Sequence, residues 1–217
     1  KYHVVDPFII PPSWKIDRGY DYGSSAPAAN LWFAESDGSE FVDANGDICW
    51  VPARSLFIIK ECYIANQRLE GLRLPPEAQA KRIKSAEDDE HWGRRVKAGP
   101  ADNAIFSNEP GRRSIADEMA DQGCVYIRSD KSPGSRVRGV GLMRTRLAAA
   151  CIRPMERPGI FVFSSCHHTI RTVPNLENDD SNVEDIDTQG EDHIWDVIRY
   201  RLLNAERQLK TGDVKGT

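Results

Sequence analysis

Three strand-like runs crowd the first third of the chain. They are Trp14 to Tyr22, Ala28 to Glu35, and Ser55 to Ala65, where Ser-Leu-Phe-Ile-Ile-Lys-Glu-Cys-Tyr-Ile-Ala is the clearest of all. The stretch Ser36 to Asp47 holds Asp-Gly and Asn-Gly-Asp, turn signals that predict a hairpin or loop insertion. After Ala65 the pattern changes to helix–strand units. A helix from about Pro76 to Val96 leads to a short strand at Ala98 to Ala101. A helix at Ser114 to Gln122, capped by Ser114 and stopped by Gly123, leads to a strand at Cys124 to Arg128. The loop Ser129 to Ser135 opens a basic helix reaching about Ala150, and a strand follows at Gly159 to Ser165. A short helix at His167 to Val173, an acidic loop at Asn175 to Gly190 and a closing helix from about Glu191 to Gln208 complete the order. Three hairpin-connected strands followed by βα units give an α/β fold, a mixed central sheet with helices on both faces.

The 217 residues suffice for one sizeable domain, expected at 14–210, with a Pro-rich linker or strap at 1–13 and a tail at 211–217. The chain opens on Lys1, so a partner domain is allowed for. No run approaches the roughly 18 apolar residues of a membrane span, and no signal-peptide pattern appears. Five scattered cysteines with no Cys-x-x-Cys pair suggest reduced, mostly core thiols in a cytoplasmic protein.

Carboxylates recur where this fold would bring them together. Asp21 ends the first strand, Asp102 ends the Gly-Pro-Ala strand, and Asp192, His193 and Asp196 open the closing helix on one face. Convergent carboxylates need a cation to remain ionised, and a divalent metal is the usual one. Each has a plainer reading: Asp21 in a turn with Gly23, Asp102 in an Asx turn, Asp192 complementing the helix dipole. Asp196, between Trp195 and Val197-Ile198, is not explained that way. Glu61 on the third strand is a candidate fourth acid, or a solvent-facing residue. Cys166-His167-His168 invites a zinc reading, although adjacent residues on one element diverge.

The net charge is −4, but seven Lys/Arg lie between Arg128 and Arg153 against one acid, Asp130. Nine acids and no Lys or Arg lie between Glu177 and Asp196. A basic stretch beside an acidic one suits an enzyme gripping a polyanion near a metal; two solvated surfaces are the alternative. Lys131, Arg136, Arg138 and Arg144 are the candidate phosphate contacts.

The segments Arg18-Gly-Tyr-Asp-Tyr-Gly-Ser-Ser-Ala-Pro27, Gly99-Pro-Ala-Asp102 and Asp192-His-Ile-Trp-Asp-Val-Ile-Arg-Tyr200 together resemble the nuclease domain of the large terminase subunit of tailed double-stranded DNA phages. The closing Asp-x-x-Arg-Tyr is the most specific piece. The resemblance implies an RNase H-like fold and an endonuclease cutting concatemeric double-stranded viral DNA during genome packaging, in the host cell cytoplasm. It implies two Mg²⁺ or Mn²⁺ ions held by Asp21, Asp102 and Asp196, with Asp192 and His193 assisting. It also implies partners: a terminase ATPase domain, a small terminase subunit and the portal. No Gly-x-x-x-x-Gly-Lys-Ser/Thr loop occurs, so the motor is not in this chain. Asn103 stands where many relatives carry proline, and the interval from Asp21 to Asp102 is long. Three alternatives are an actin-like ATPase or kinase fragment, suggested by Asp-Tyr-Gly-Ser-Ser, a non-catalytic RNase H-like docking domain, and a resolvase- or transposase-type nuclease.

Overall fold

The computed structural model describes residues 2–107, 111, 113–180, 182–187 and 190–213. Of the tail expected at 211–217, residues 214–217 lie outside the described residues, as do 181, 188 and 189 of the acidic loop. The strands, in chain order, are β1 (Val4–Val5), β2 (Lys15–Asp21), β3 (Ala28–Glu35), β4 (Phe41–Val42), β5 (Ile48–Cys49), β6 (Leu56–Ile64), β7 (Val96–Lys97), β8 (Gly99–Ala101), β9 (Tyr126–Arg128) and β10 (Ile160–Phe163). The helices are α1 (Pro76–Asp89), α2 (Ile115–Asp121), α3 (Ser135–Cys151), α4 (His167–Thr172) and α5 (His193–Asp213).

One eight-stranded mixed sheet runs in the order β1-β10-β6-β3-β2-β8-β9, with β7 also pairing β2. β2, β3 and β6 form the antiparallel centre, while β8 joins β2 and β10 joins β6 in parallel. β3 is buried along nearly its whole length, as a central strand covered on both faces must be. One face carries α1: Arg18 of β2 and Trp32 of β3 both meet Glu87 there, the indole at 3.0 Å. The other carries α5, where a Cβ on Gly19 would lie 2.8 Å from Val197 Cγ1. Glycine at that point lets the helix settle onto the strand.

The structure departs from the sequence reading in four places. The helix expected to reach Val96 ends at Asp89, where His91 (φ 55°) and Gly93 (φ 51°) take left-handed backbone and a 3₁₀ turn follows. Residues of the Pro-rich start form β1, an edge strand paired with β10. The closing helix begins at His193, two residues later than expected. All five cysteines are free, but only Cys124 and Cys166 are buried, and Cys151 is exposed. The insertion at Ser36–Asp47 contributes to the β4–β5 hairpin, which makes its own small two-stranded sheet. Among the described residues no helix is long and apolar enough to cross a membrane.

Candidate active site

Topology builds the site before any side chain is considered. β2 and β8 run parallel with Tyr20 opposite Ala101, so their carboxyl ends share one edge of the sheet. Asp21 is the last residue of β2, and Asp102 follows β8, its backbone amide bonded to the Tyr20 carbonyl at 3.1 Å. α5 descends the same face with its first turn over that edge. Asp17, Gly19 and Asp21 alternate toward this face of β2 and meet Arg201, Val197 and His193, each four residues apart on α5. Two strand residues advance about 6.6 Å and four helix residues about 6 Å, so strand and helix stay in step along the contact.

Asp21, Asp102 and Asp196 converge on the hydroxyl of Tyr200, which lies one turn beyond Asp196 on α5. The phenolic oxygen is 3.5 Å from Asp21 Oδ1, 3.2 Å from Asp102 Oδ2 and 3.1 Å from Asp196 Oδ2. A phenol has one proton to donate, so it serves only one of three ionised acceptors. Each acid has a basic side chain of its own. His193 Nδ1 lies 2.9 Å from Asp21 Oδ2, Lys131 Nζ lies 2.6 Å from Asp102 Oδ2, and Arg199 Nη2 lies 2.8 Å from Asp196 Oδ1. Among the described residues no three His, Cys, Asp or Glu side chains form a ready-made metal cage. Basic side chains therefore stand beside the same carboxylates that a divalent ion would use.

The electrostatics follow from this crowding. Burial, with repulsion from Asp196 and Asp102, raises the Asp21 carboxyl, against the hydrogen bond from His193. Burial, then Asp196 and Asp21, push Asp192 up to about 6. The hydrogen bond to Asp21 raises His193 against the opposing effect of its burial. Burial would raise Asp102 as well, but the Ala104 amide, Lys131 and the Tyr200 hydroxyl together outweigh it and hold that carboxyl low. The Tyr200 phenol is pushed far up, first by burial and then by Asp196, Asp21 and Asp102, so it stays a donor.

Other residues singled out in the sequence have different places. Asp102 does make the Asx turn, its Oδ1 accepting from Ala104 N at 2.7 Å, while Oδ2 faces the site. Glu61 is neither a fourth acid of the cluster nor a solvent-facing residue. It caps α4, accepting from His168 N at 2.7 Å and from Thr169 N at 2.8 Å. Cys166 is buried, with its thiol on the Ile58 carbonyl, and His168 stacks on Tyr63, so the Cys-His-His run gathers no zinc site among the described residues. Three of the four basic residues expected on DNA engage acids of the chain itself. Lys131 holds Asp102, Arg136 holds Asp185 through Nε at 2.8 Å, and Arg138 holds Asp130 at 2.5 Å. Of these three pairs, Arg136–Asp185 joins the basic segment to the acidic one, and Arg144 is exposed. Tyr200 and Arg199 touch the clustered acids although the sequence reading, which quoted them in Asp-x-x-Arg-Tyr, assigned them no role. Their signal was the i, i+3, i+4 spacing from Asp196 on one helix.

No family model matches the sequence, and no curated protein matches it. Solved structures do match the fold. The nuclease domain of the P22 large terminase superposes with a TM-score of 0.63 at 14% identity, covering 94% of this chain and 88% of that one. The large terminase of the thermophilic bacteriophage D6E gives 0.61 at 19% identity, covering 94% of this chain and 42% of its own. The large terminase nuclease of thermophilic phage G20c, solved with bound cobalt, gives 0.52 at 12% identity over 93% and 92% of the two chains. The fold is therefore the RNase H-like fold of these nuclease domains, as the order of elements implied.

Proposed function

We propose that this chain is a divalent-metal-dependent endonuclease that cleaves double-stranded DNA as the nuclease of a phage large terminase. The carrying observation is the meeting of Asp21, Asp102 and Asp196, from three separate elements, around one hydroxyl at the carboxyl edge of the sheet. The fold shared with the P22 and D6E proteins supports the reading, and the cobalt-bound G20c nuclease supports dependence on a divalent ion.

The donor set suits two hard ions such as Mg²⁺ or Mn²⁺: carboxylate oxygens only, more acceptors than the one phenolic proton can satisfy, and partial exposure for entry. Such ions would supply Lewis-acid activation of a water nucleophile and stabilisation of the charge on a leaving 3′ oxygen. The chain's own residues do the rest. Asp21, Asp102 and Asp196 hold the ions, fixed in direction by the strand ends and by Arg199. His193, oriented by Asp21, moves a proton at Nε2, and Asp192 assists at the rim. Arg144 with Lys131, Arg136 and Arg138 grips backbone phosphates, giving little sequence preference and steep salt dependence. The ATPase motor, small subunit and portal are the partners of this activity, and the host cytoplasm is its place.

Plasmid cleavage with Mn²⁺ tests the reading. The wild-type chain linearises and then degrades plasmid, whereas Asp196→Ala is slowed at least roughly a hundredfold, the usual cost of losing a group that acts in the transition state. Equal rates for the two would overturn the assignment. The non-catalytic docking alternative has one observation in its favour, the complete side-chain pairing of the acids, and wild-type protein inert with every divalent ion would establish it.

A further inference from the structure

Lys131 occupies the one oxygen of Asp102 that faces the site. Asp102 Oδ1 is turned to the Ala104 amide, leaving Oδ2 to point at the Tyr200 hydroxyl 3.2 Å away. The Lys131 ammonium sits 2.6 Å from that same Oδ2 and 5.5 Å from the centre of the Tyr200 ring. The other two basic partners are more enclosed. The Arg199 side chain is 5% exposed and that of His193, bonded to Asp21, is 21% exposed. Lys131 differs, because its side chain is 38% exposed. Its loop is anchored beside it, with Asp130 accepting from Ser132 N at 2.9 Å and from Arg138 Nη2 at 2.5 Å. An anchored backbone with a four-carbon stem lets the ammonium swing while the loop stays put.

We propose that Lys131 is an exchangeable counter-ion, holding Asp102 in the free protein and passing to a backbone phosphate when duplex DNA arrives, which frees Asp102 for the divalent ion. DNA and metal then bind with positive coupling, and the coupling is reciprocal. The same residue serves two anions in turn, so its place on Asp102 and its expected place on DNA are two states of one side chain. The inference rests on the nuclease reading above.

Isothermal titration with Mn²⁺ in the absence of DNA tests the first half on wild type, Lys131→Gln, Lys131→Met and Asp196→Asn. Removing the competing ammonium tightens Mn²⁺ binding roughly three- to tenfold in both Lys131 variants, the range expected for a part-exposed ion pair. Anisotropy of a short fluorescent duplex in EDTA tests the second half. Asp102→Asn frees Lys131 and strengthens DNA binding, and the gain shrinks in the Asp102→Asn/Lys131→Gln double variant, a non-zero coupling in the cycle. Unchanged Mn²⁺ affinity in both Lys131 variants overturns the exchange, as does an additive cycle. If Asp196→Asn still loses Mn²⁺ in that case, the metal site itself stands. Wild-type protein that binds no Mn²⁺ with or without duplex overturns both readings.

Discussion

Asp21 and His193 meet across the whole length of the fold, with Oδ2 2.9 Å from Nδ1, although they are 172 residues apart in sequence. Their meeting is the last rung of a ladder that α5 forms on β2. Below it Val197 lies over Gly19, and Arg201 binds Asp17 with Nε 2.7 Å from Oδ1. The chemistry of the site therefore depends on the register of one helix on one strand, and the buried Arg201–Asp17 pair fixes that register at the far end.

Asp192 and His193 make metal-free stability fall as pH rises through the weakly acidic range. Burial and its acidic neighbours push the Asp192 carboxyl up to about 6, so the fold gains from its protonation and loses that gain as pH passes about 6. His193 is raised too, and its contribution is complete below its ordinary value and disappears as pH climbs through the raised one. In EDTA the unfolding free energy is expected to be greater near pH 5 than near pH 8 by about 1 kcal/mol after allowing for solvent screening, read as a higher melting temperature at pH 5. Asp192→Asn flattens the acidic part of that slope. A parallel profile for the variant would show that Asp192 is not the titrating group.

Divalent ions are expected to reverse the deficit. Mn²⁺ at about a hundred times its dissociation constant stabilises by roughly 2.7 kcal/mol, read as a rise in melting temperature. Asp21→Asn and Asp196→Asn should both lose most of that rise. A full rise in either variant would place the ion elsewhere.

Tyr200→Phe separates the hydroxyl from the ring, which is fully buried and packs independently of it. Without metal the acids lose their shared donor, and the variant is expected to be about 1–2 kcal/mol less stable. Saturating Mn²⁺ should close most of that gap, because an ion satisfies the same oxygens. Denaturant melts with and without Mn²⁺ measure both numbers, and a gap that persists in Mn²⁺ would make the hydroxyl structural only.

Much of the sheet was legible in the sequence because β3 and β6 are rich in apolar, aromatic and β-branched residues, and Ala28–Glu35 falls where the composition places it. β1 was not legible, since two valines acquire a strand only by pairing with Val162 and Phe163 far along the chain. The acids were legible one by one, as residues at the ends of strands or in a helix's first turn. Their distant partners were not. Nothing local distinguishes Lys131 on Asp102 from Arg144 in solvent, and Glu61 caps a helix more than a hundred residues away. Arg199 and Tyr200 did carry a local signal, three and four positions after Asp196 on a helix.

Because α5 must keep its register on β2, Gly19 is expected to be as necessary to the site as the carboxylates. An added methyl there would stand 2.8 Å from Val197 Cγ1 and 3.4 Å from the Pro100 carbonyl, both on elements that carry site residues. Gly19→Ala is therefore expected to cost about 1–3 kcal/mol, the usual range for overpacking. It should also weaken Mn²⁺ binding by lifting the first turn of α5 from Asp21. Val197→Ala removes the colliding methyl, so Gly19→Ala/Val197→Ala should recover Mn²⁺ affinity even where the lost apolar contact keeps stability low. Recovery of affinity without recovery of stability would tie the metal site to helix register. If the double variant bound Mn²⁺ no better than Gly19→Ala, contact of the methyl with Pro100 and β8, rather than with α5, would be the cause.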